Sequence, residues 1–341
     1  MTGTAPIPAP LDQRARPLRD LRISVTDRCN FRCSYCMPKA RFGGGFAFLP
    51  RAELLSFEEI ARVARLFADA GVTKIRLTGG EPLLRRDLER LVKMLAGLGG
   101  IDDIALTTNG SLLASRASGL ALAGLTRVTV SLDALDDALF RAINDVGFPV
   151  SRVLAGIDAA AAAGLPVKVN MVVKRGLNDA CVIDMAEHFR GCRQVLRFIE
   201  YMDVGGADRW RAEDVVPSAE IVRAIDARWP LEQMEPSYSG EVARRYRYRD
   251  GSGEIGVVAA ITEPFCADCT RARLSADGRL FTCLFAAQGH DLRTQLRSDV
   301  PDDEITRQLR LIWTARSDRY SELRAGPDAA RAKLAMSYIG G

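Results

Sequence analysis

The chain has 341 residues, 48% hydrophobic and 26% charged, with a formal net charge of +4. That is the make-up of a soluble globular protein with room for more than one domain, and so small a charge for the length excludes nucleic acid as a bulk partner. No apolar run reaches the roughly eighteen residues of a membrane span, and residues 1–20 lack a secretory hydrophobic centre, so a cytoplasmic protein with no membrane partner is expected.

Residues 1–20 carry Arg14, Arg16 and Arg19 with several prolines and no amphipathic period, which reads as a flexible N-terminal arm rather than a transit peptide. From residue 21 a rhythm sets in of short β-rich run, loop and helical pattern. The β-rich runs are 21–25, 74–78, 103–107, 127–131, 167–173 and 196–201. Ser56 followed by Glu59 has the form of a capping box, and Ile60, Val63, Ala64 and Phe67 then share one helical face as far as Gly71. Helical patterns follow at 87–98, 111–123, 136–144, 153–163 and 179–190. Strands alternating with helices of this length indicate parallel βαβ units.

The strand endings decide between an open sheet and a barrel. The first run leads into a group of cysteines, the second into Thr78-Gly79-Gly80-Glu81-Pro82, the third into Thr107-Thr108-Asn109-Gly110 and the fourth into Ser131-Leu132-Asp133. The last ends in Glu200-Tyr201-Met202-Asp203. Polar, glycine-rich endings on consecutive strands converge on one mouth only in a barrel, whereas an open sheet gathers those near its switch point. The expectation is an α/β fold, an incomplete (β/α)6 TIM-type barrel over residues 21–230. Beyond Gly205 the rhythm breaks into a helical pattern at 221–228, an alternating run at 244–249 with a possible partner at 253–258, and a helix at 303–314. Residues 231–341 are expected as a C-terminal domain closing the barrel.

Eight cysteines and only two histidines, His188 and His290, point to metal or redox chemistry rather than disulfides in an intracellular chain. Cys29, Cys33 and Cys36 are one ligand short of a closed tetrahedral zinc site, with no histidine nearby. They suit a four-iron cluster with one iron left open. Cys266, Cys269 and Cys283 form a second group; His290 could complete a zinc site there, and spacing alone leaves zinc and iron equally open. Arg271 and Arg273, two apart, lie among these cysteines, while Arg22, Lys74, Arg76, Lys168 and Arg197 lie on or beside the expected barrel strands. Any one of them alone would be taken for a solvated surface cation. Seven drawn toward one cavity call for an anion, which a triphosphate supplies.

The first group, following a first strand, resembles the radical S-adenosylmethionine (SAM) superfamily. The resemblance implies an open iron that chelates SAM, a Tyr35 beside its adenine, a Gly80 backbone near its amino group, Ser131 near its carboxylate and Met202 near the adenine. More specifically, 24–29, 76–82, 169–174, 198–202, the second cysteine group and the terminal Gly340-Gly341 resemble the MoaA family of GTP 3′,8-cyclases, lyases of molybdenum cofactor (molybdopterin) biosynthesis. This implies two 4Fe-4S clusters, the first made by the catalytic Cys29, Cys33 and Cys36 and the second held by Cys266, Cys269 and Cys283. It also implies a GTP pocket of Arg22, Lys74, Arg76, Thr107, Lys168, Arg197, Arg271 and Arg273. Further implications are hydrogen abstraction from C3′ by a 5′-deoxyadenosyl radical, a glycine tail at the active site, an external one-electron reductant, a homodimer, and hand-off to cyclic pyranopterin monophosphate synthase. Ala272 and 145–149 depart from the family pattern without touching a ligand position. The alternatives are a radical SAM enzyme that modifies peptides and carries an auxiliary cluster, for which the cysteines are few, and an iron-sulfur electron carrier, for which the barrel is large.

Overall fold

The computed structural model describes residues 9–204, 210–238, 240–324 and 334–340. Six strands, β1 (Asp20–Ser24), β2 (Lys74–Thr78), β3 (Asp103–Thr108), β4 (Arg127–Ser131), β5 (Val167–Val173) and β6 (Val195–Glu200), lie side by side in chain order and all run parallel. Helices Phe57–Asp69, Leu88–Ala96, Leu113–Leu122, Val150–Ala162 and Val182–Phe189 fill the crossovers, and Asp137–Asn144 adds a second helix to the fourth. These are the six units of the expected partial barrel.

Local chemistry sets the elements. The capping box forms: Glu59 N donates to Ser56 Oγ at 3.1 Å, Ser56 N donates to Glu59 Oε2 at 2.7 Å, and the helix buries Ile60, Val63, Ala64 and Phe67. Along β5 the period of two places Val167, Val169, Met171 and Val173 in the core and leaves Lys168, Asn170 and Val172 facing a cavity. On β2, Ile75 and Leu77 are buried in the same way while Lys74, Arg76 and Thr78 line that cavity. The segment expected as one helix over 179–190 is a 3-10 turn, Asp179–Cys181, followed by Val182–Phe189.

The C-terminal part continues the same sheet on both edges. β8 (Arg244–Tyr248) pairs antiparallel with both β7 (Leu231–Met234) and β9 (Glu254–Val258), and β9 lies parallel to β6. At the other edge β10 (Arg271–Leu274) lies parallel to β1 and carries β11 (Arg279–Phe281) and β12 (His290–Asp291). The resulting order of twelve strands is β12-β11-β10-β1-β2-β3-β4-β5-β6-β9-β8-β7. This explains why the first strand starts one residue earlier than its own composition suggests: Arg19 N and Asp20 N both donate to Thr270 O at 3.1 Å, just ahead of β10. Helix Asp302–Thr314 packs against Phe57–Asp69, with Trp313 buried. No described helix is long and apolar enough to cross a membrane.

Residues 9–19, expected as part of a flexible arm, are instead packed; residues 1–8 of that arm lie outside the described residues. Leu11 bridges Pro17, and between them Asp12 Oδ1 accepts from Arg14 N and Arg16 N, each at 2.9 Å. Buried ion pairs from Asp12 to Arg16 and Arg316 fix the turn, a long-range tie that composition could not reveal. The turn puts Ala15 at φ +59, the left-handed region that a side chain disfavours. Ala15→Gly removes that strain at some cost in unfolded-chain entropy. It is expected to raise stability by about 0.5 kcal/mol, read as a higher chemical-unfolding midpoint of the metal-free protein.

Candidate active site

A cavity of about 360 Å³ runs along the inner face of the barrel strands, from Asp20 and Lys74 at their starts to the loops at their C-terminal ends, and extends under the C-terminal part. Both cysteine groups open into it, and so does every other residue singled out above as a candidate SAM or GTP contact.

The first cysteine group sits on a tight turn after β1. Cys36 N and Met37 N both donate to Cys33 O, at 3.0 and 2.9 Å, and Phe31 N donates to Cys29 Sγ at 3.4 Å. Beside it runs the Gly79-Gly80 segment. A Cβ at Gly80 would lie 2.2 Å from Arg28 O and 2.9 Å from Cys29 N, so the chain itself requires a glycine there for the two loops to meet. Glu81 is fully buried and holds the third strand's loop: it accepts from Thr108 Oγ1 at 2.7 Å and Asn109 N at 2.7 Å. Burial pushes its carboxyl up to about 7 against those hydrogen bonds. Asn109 in turn points Nδ2 at Cys29 Sγ, 3.8 Å away. Tyr35 OH donates to Asp133 Oδ2 at 2.5 Å, and Val172 N to Asp133 Oδ1 at 2.9 Å, which fixes the ring against the end of β4. Ser131, the last residue of β4, and Met202, two residues beyond β6, also line the cavity.

The thiols are those of a metal-binding loop. Burial, aided by Glu81, pushes Cys29 up to about 11; burial, aided by Cys29, pushes Cys36 up to about 12; Cys33 is raised by burial and by Asp133. Neutral thiols buried together ionise when a cation displaces their protons. Among the described residues no three Cys, His, Asp or Glu side chains are gathered as around a single metal ion. A four-iron cluster makes a different demand, since each thiolate takes its own iron. Three converging thiols, N–H donors aimed at sulfur and no histidine in the described cavity wall fit that group.

The second group combines a 3-10 turn, Cys266–Asp268, with Cys283 beyond β11. Phe285 N donates to Cys283 Sγ at 3.5 Å, and Arg271 reaches Cys269 Sγ at 3.6 Å. Burial would raise the Cys269 thiol, but Arg271 and Arg316 outweigh it and bring the thiol down to about 6, whereas burial and Asp318 push Cys283 up to about 11. His290, the alternative fourth ligand, stands exposed on β12 opposite Leu280, outside the cavity wall. Cys181 and Cys192 belong to neither group, and Cys192 is exposed.

Between the two groups the wall is cationic. Arg22 on β1 is flanked in register by Arg76 on β2 and Arg273 on β10. Arg76 donates to Thr107 Oγ1 at 3.0 Å and Thr129 Oγ1 at 3.2 Å; Arg197 donates to Asn170 Oδ1 at 3.0 Å. Lys74 sits 4.3 Å from the Tyr238 ring centroid and pairs with Asp103 at 3.4 Å. Burial and mutual repulsion depress most of the set: Arg76 and Arg273 to about 10, Arg197 to about 9, Lys168 to about 8, and Arg22 well below its ordinary value. Arg271 goes the other way, raised by Cys269 against its own burial. Arg273 also donates to Gly340 O, and Met336 and Ser337 line the cavity, so the C-terminal segment reaches the site; Gly341 lies outside the described residues.

Asn109 lines the wall as part of the strand ending expected at the mouth, while Asn170, Tyr238, Arg16 and Arg316 join it without having been foreseen. Asn170 was within reach, two residues from Lys168 on a period-two strand. Arg16 and Arg316 were not, because long-range ion pairs place them.

Residues 23–189 match the Radical SAM superfamily and residues 194–322 match Molybdenum Cofactor Synthesis C. The chain is 56% identical to a GTP 3′,8-cyclase of Acidothermus cellulolyticus across 97% of its own length and 98% of that protein. It is 48% identical to a GTP 3′,8-cyclase of Staphylococcus aureus, again across 97% and 98%. Among solved structures it resembles Streptococcus suis SuiB bound to precursor peptide SuiA, with a TM-score of 0.61 at 16% identity over 92% of this chain and 75% of that one, a likeness of fold alone.

In metal-free protein, Cys269 is expected to be alkylated ahead of Cys29, Cys33 and Cys36. Its labelling rate should be half-maximal near pH 6 and fall below that as the thiolate is protonated. Peptide mapping after brief iodoacetamide treatment reads the order.

Proposed function

Since the chain belongs to the GTP 3′,8-cyclase family of radical SAM enzymes, we propose that it converts GTP to (8S)-3′,8-cyclo-7,8-dihydroguanosine 5′-triphosphate, the first step of molybdenum cofactor biosynthesis. Membership in that superfamily implies a 4Fe-4S cluster and SAM. The observation that carries the proposal is the cationic wall between two cysteine groups in one cavity. A single group would suffice to cleave SAM; the wall and the second group need a reason of their own, and a nucleoside triphosphate provides it.

Cys29, Cys33 and Cys36 would hold the first cluster, with SAM between the Gly79-Gly80 backbone, Ser131, Met202 and the Tyr35 ring. Cys266, Cys269 and Cys283 would hold a second cluster, beside the guanine. When bound, the first cluster and SAM would supply the means of removing a hydrogen atom from C3′ of GTP; closure onto C8 would then be completed by one electron from the reductant and one proton. The chain's own part is to bind and orient. Arg22, Arg76, Arg271 and Arg273 form a forked set for phosphate oxygens, Lys74, Lys168 and Arg197 extend it across the strands, and Thr107 keeps Arg76 aimed into the cavity. Fixing C3′ within reach of SAM and C8 within reach of C3′ is the larger share of what a protein can contribute here. The proposal includes an external one-electron reductant, a homodimer and delivery of the product to cyclic pyranopterin monophosphate synthase.

Anaerobic reconstitution with iron and sulfide, followed by dithionite, SAM and GTP, is expected to give 5′-deoxyadenosine together with the cyclised nucleotide. Cleavage of SAM with GTP left intact would overturn the cyclase assignment, and absence of cleavage the radical one. Metal analysis finding zinc in place of the second set of irons would remove the second cluster separately.

The depressed Lys168 sets a pH dependence. Below about 8 its ammonium is charged and meets the triphosphate; above 8 the free protein loses that charge, so GTP affinity should weaken as pH rises from 8 to 9, by up to about tenfold per unit. Lys168→Gln should weaken binding at pH 7 and remove most of the slope around pH 8, leaving the loss near 9 that Arg197 causes, both measured by anaerobic titration of GTP.

A further inference from the structure

The packed turn at residues 9–19 ends in a buried ion cluster at the edge of the cavity, with no part in the proposed GTP contacts. Asp12, Arg16 and Arg316 are 7%, 2% and 4% exposed. Asp12 Oδ2 accepts from Arg16 Nε at 2.6 Å and from Arg316 at 3.1 Å, so one carboxylate ties together two guanidinium groups from opposite ends of the chain. Trp313, which donates Nε1 to Arg16 O at 3.0 Å, lies under the Arg316 guanidinium at 4.5 Å.

Both cations lead to the second cysteine group. Arg16 donates to Cys266 O at 2.6 Å and to Asp318 O at 2.8 Å, and Arg316 donates to Cys269 O at 2.7 Å. The carbonyls on either side of the Cys266–Asp268 turn are thus gripped from one side by a single ion cluster. Arg16 and Arg316 also line the cavity, with Asp318 beside them, and the second terminal nitrogen of Arg16 is buried with no hydrogen-bond partner among the described residues. A buried N–H of a cation left over in a cavity wall is costly unless an anionic group faces it.

We propose that Arg16 and Arg316, joined through Asp12, are positioning residues for the second cluster: they fix the Cys266–Cys269 turn and offset the negative charge of a thiolate-bound cluster, which sets its reduction potential. This rests on the two-cluster reading above. Charge and hydrogen bonding around the sulfurs are the levers by which a protein tunes such a group. The two kinds of substitution therefore act in opposite directions. Arg16→Gln removes a positive charge and makes the cluster harder to reduce; Asp12→Asn removes the negative charge between the two cations and makes it easier. A role in holding the fold alone would not reverse sign.

The test is a redox titration of the reconstituted protein followed by electron paramagnetic resonance, with the SAM-dependent signal of the first cluster as the internal reference. Arg16→Gln is expected to lower the second cluster's potential, Asp12→Asn to raise it, and both to leave the first cluster's potential and SAM response where they are. Potentials unmoved in both variants, or moved the same way, overturn the proposal. If Arg16→Gln loses both clusters, Asp12→Asn alone decides, and an unmoved or lowered potential in it overturns the proposal. Wild-type protein that takes up iron for the first cluster only overturns the two-cluster reading and this proposal together; iron for both clusters with unresponsive potentials overturns this one alone.

Discussion

Like charges confined behind a protein wall are the constraint on which this structure turns. Two unit charges about 4 Å apart repel by on the order of 4 kcal/mol at an effective dielectric near 20, several times what an exposed ion pair returns. Arg22, Arg76 and Arg273 stand on adjacent strands in register, and burial together with neighbouring cations lowers the pKa of all three. A closed hydrophobic barrel of this size would be easier to fold without them. The cavity is in that sense half of an ionic contact, with the other half brought by the substrate.

The same constraint explains how the two edges of the sheet are used. Six βα units alone would present Arg22, Lys74, Arg76, Lys168 and Arg197 on an open face, where water would screen them. Adding β10 beside β1 brings Arg271 and Arg273 into the set and places Cys269 where Arg271 finds an anionic partner. Adding β9 beside β6 sets Gly256 against Arg197: a Cβ there would lie 3.0 Å from the Arg197 side chain, so a residue without one leaves that arginine its room. Charge, sheet topology and cysteine placement are one arrangement.

Much of this was legible in the linear sequence, and the reasons divide cleanly. Strands 74–78, 127–131 and 167–173 match their expected bounds because β-branched runs flanked by turn residues are a local signal. The capping box at Ser56 is equally local. Cavity-facing cations on β2 and β5 follow from a period of two once the strands are known. The parallel joining of β9 and β10 to the barrel was not legible, because pairing between distant segments leaves no trace in the periodicity of either. Nor was the packing of residues 9–19: three arginines among prolines look solvated until Asp12 and Arg316 are brought beside them. Gly80 had two reasons to be glycine, and only the structure shows that contact with Arg28 is already sufficient.

The placement of β10 also bears on how the chain folds. Thr270 Oγ1 donates to Asp20 Oδ2 at 2.6 Å across 250 residues, and the first strand made is flanked on one side by one of the last. Contacts of such separation are slow to form because a long loop must close before any of them is gained. During synthesis β1 to β6 can assemble in order, but the outer edge of β1 stays bare until the ribosome has released residues beyond 270. For that interval the nascent barrel exposes an unpaired strand beside its first cysteine loop, an edge on which it is open to misassembly with other chains.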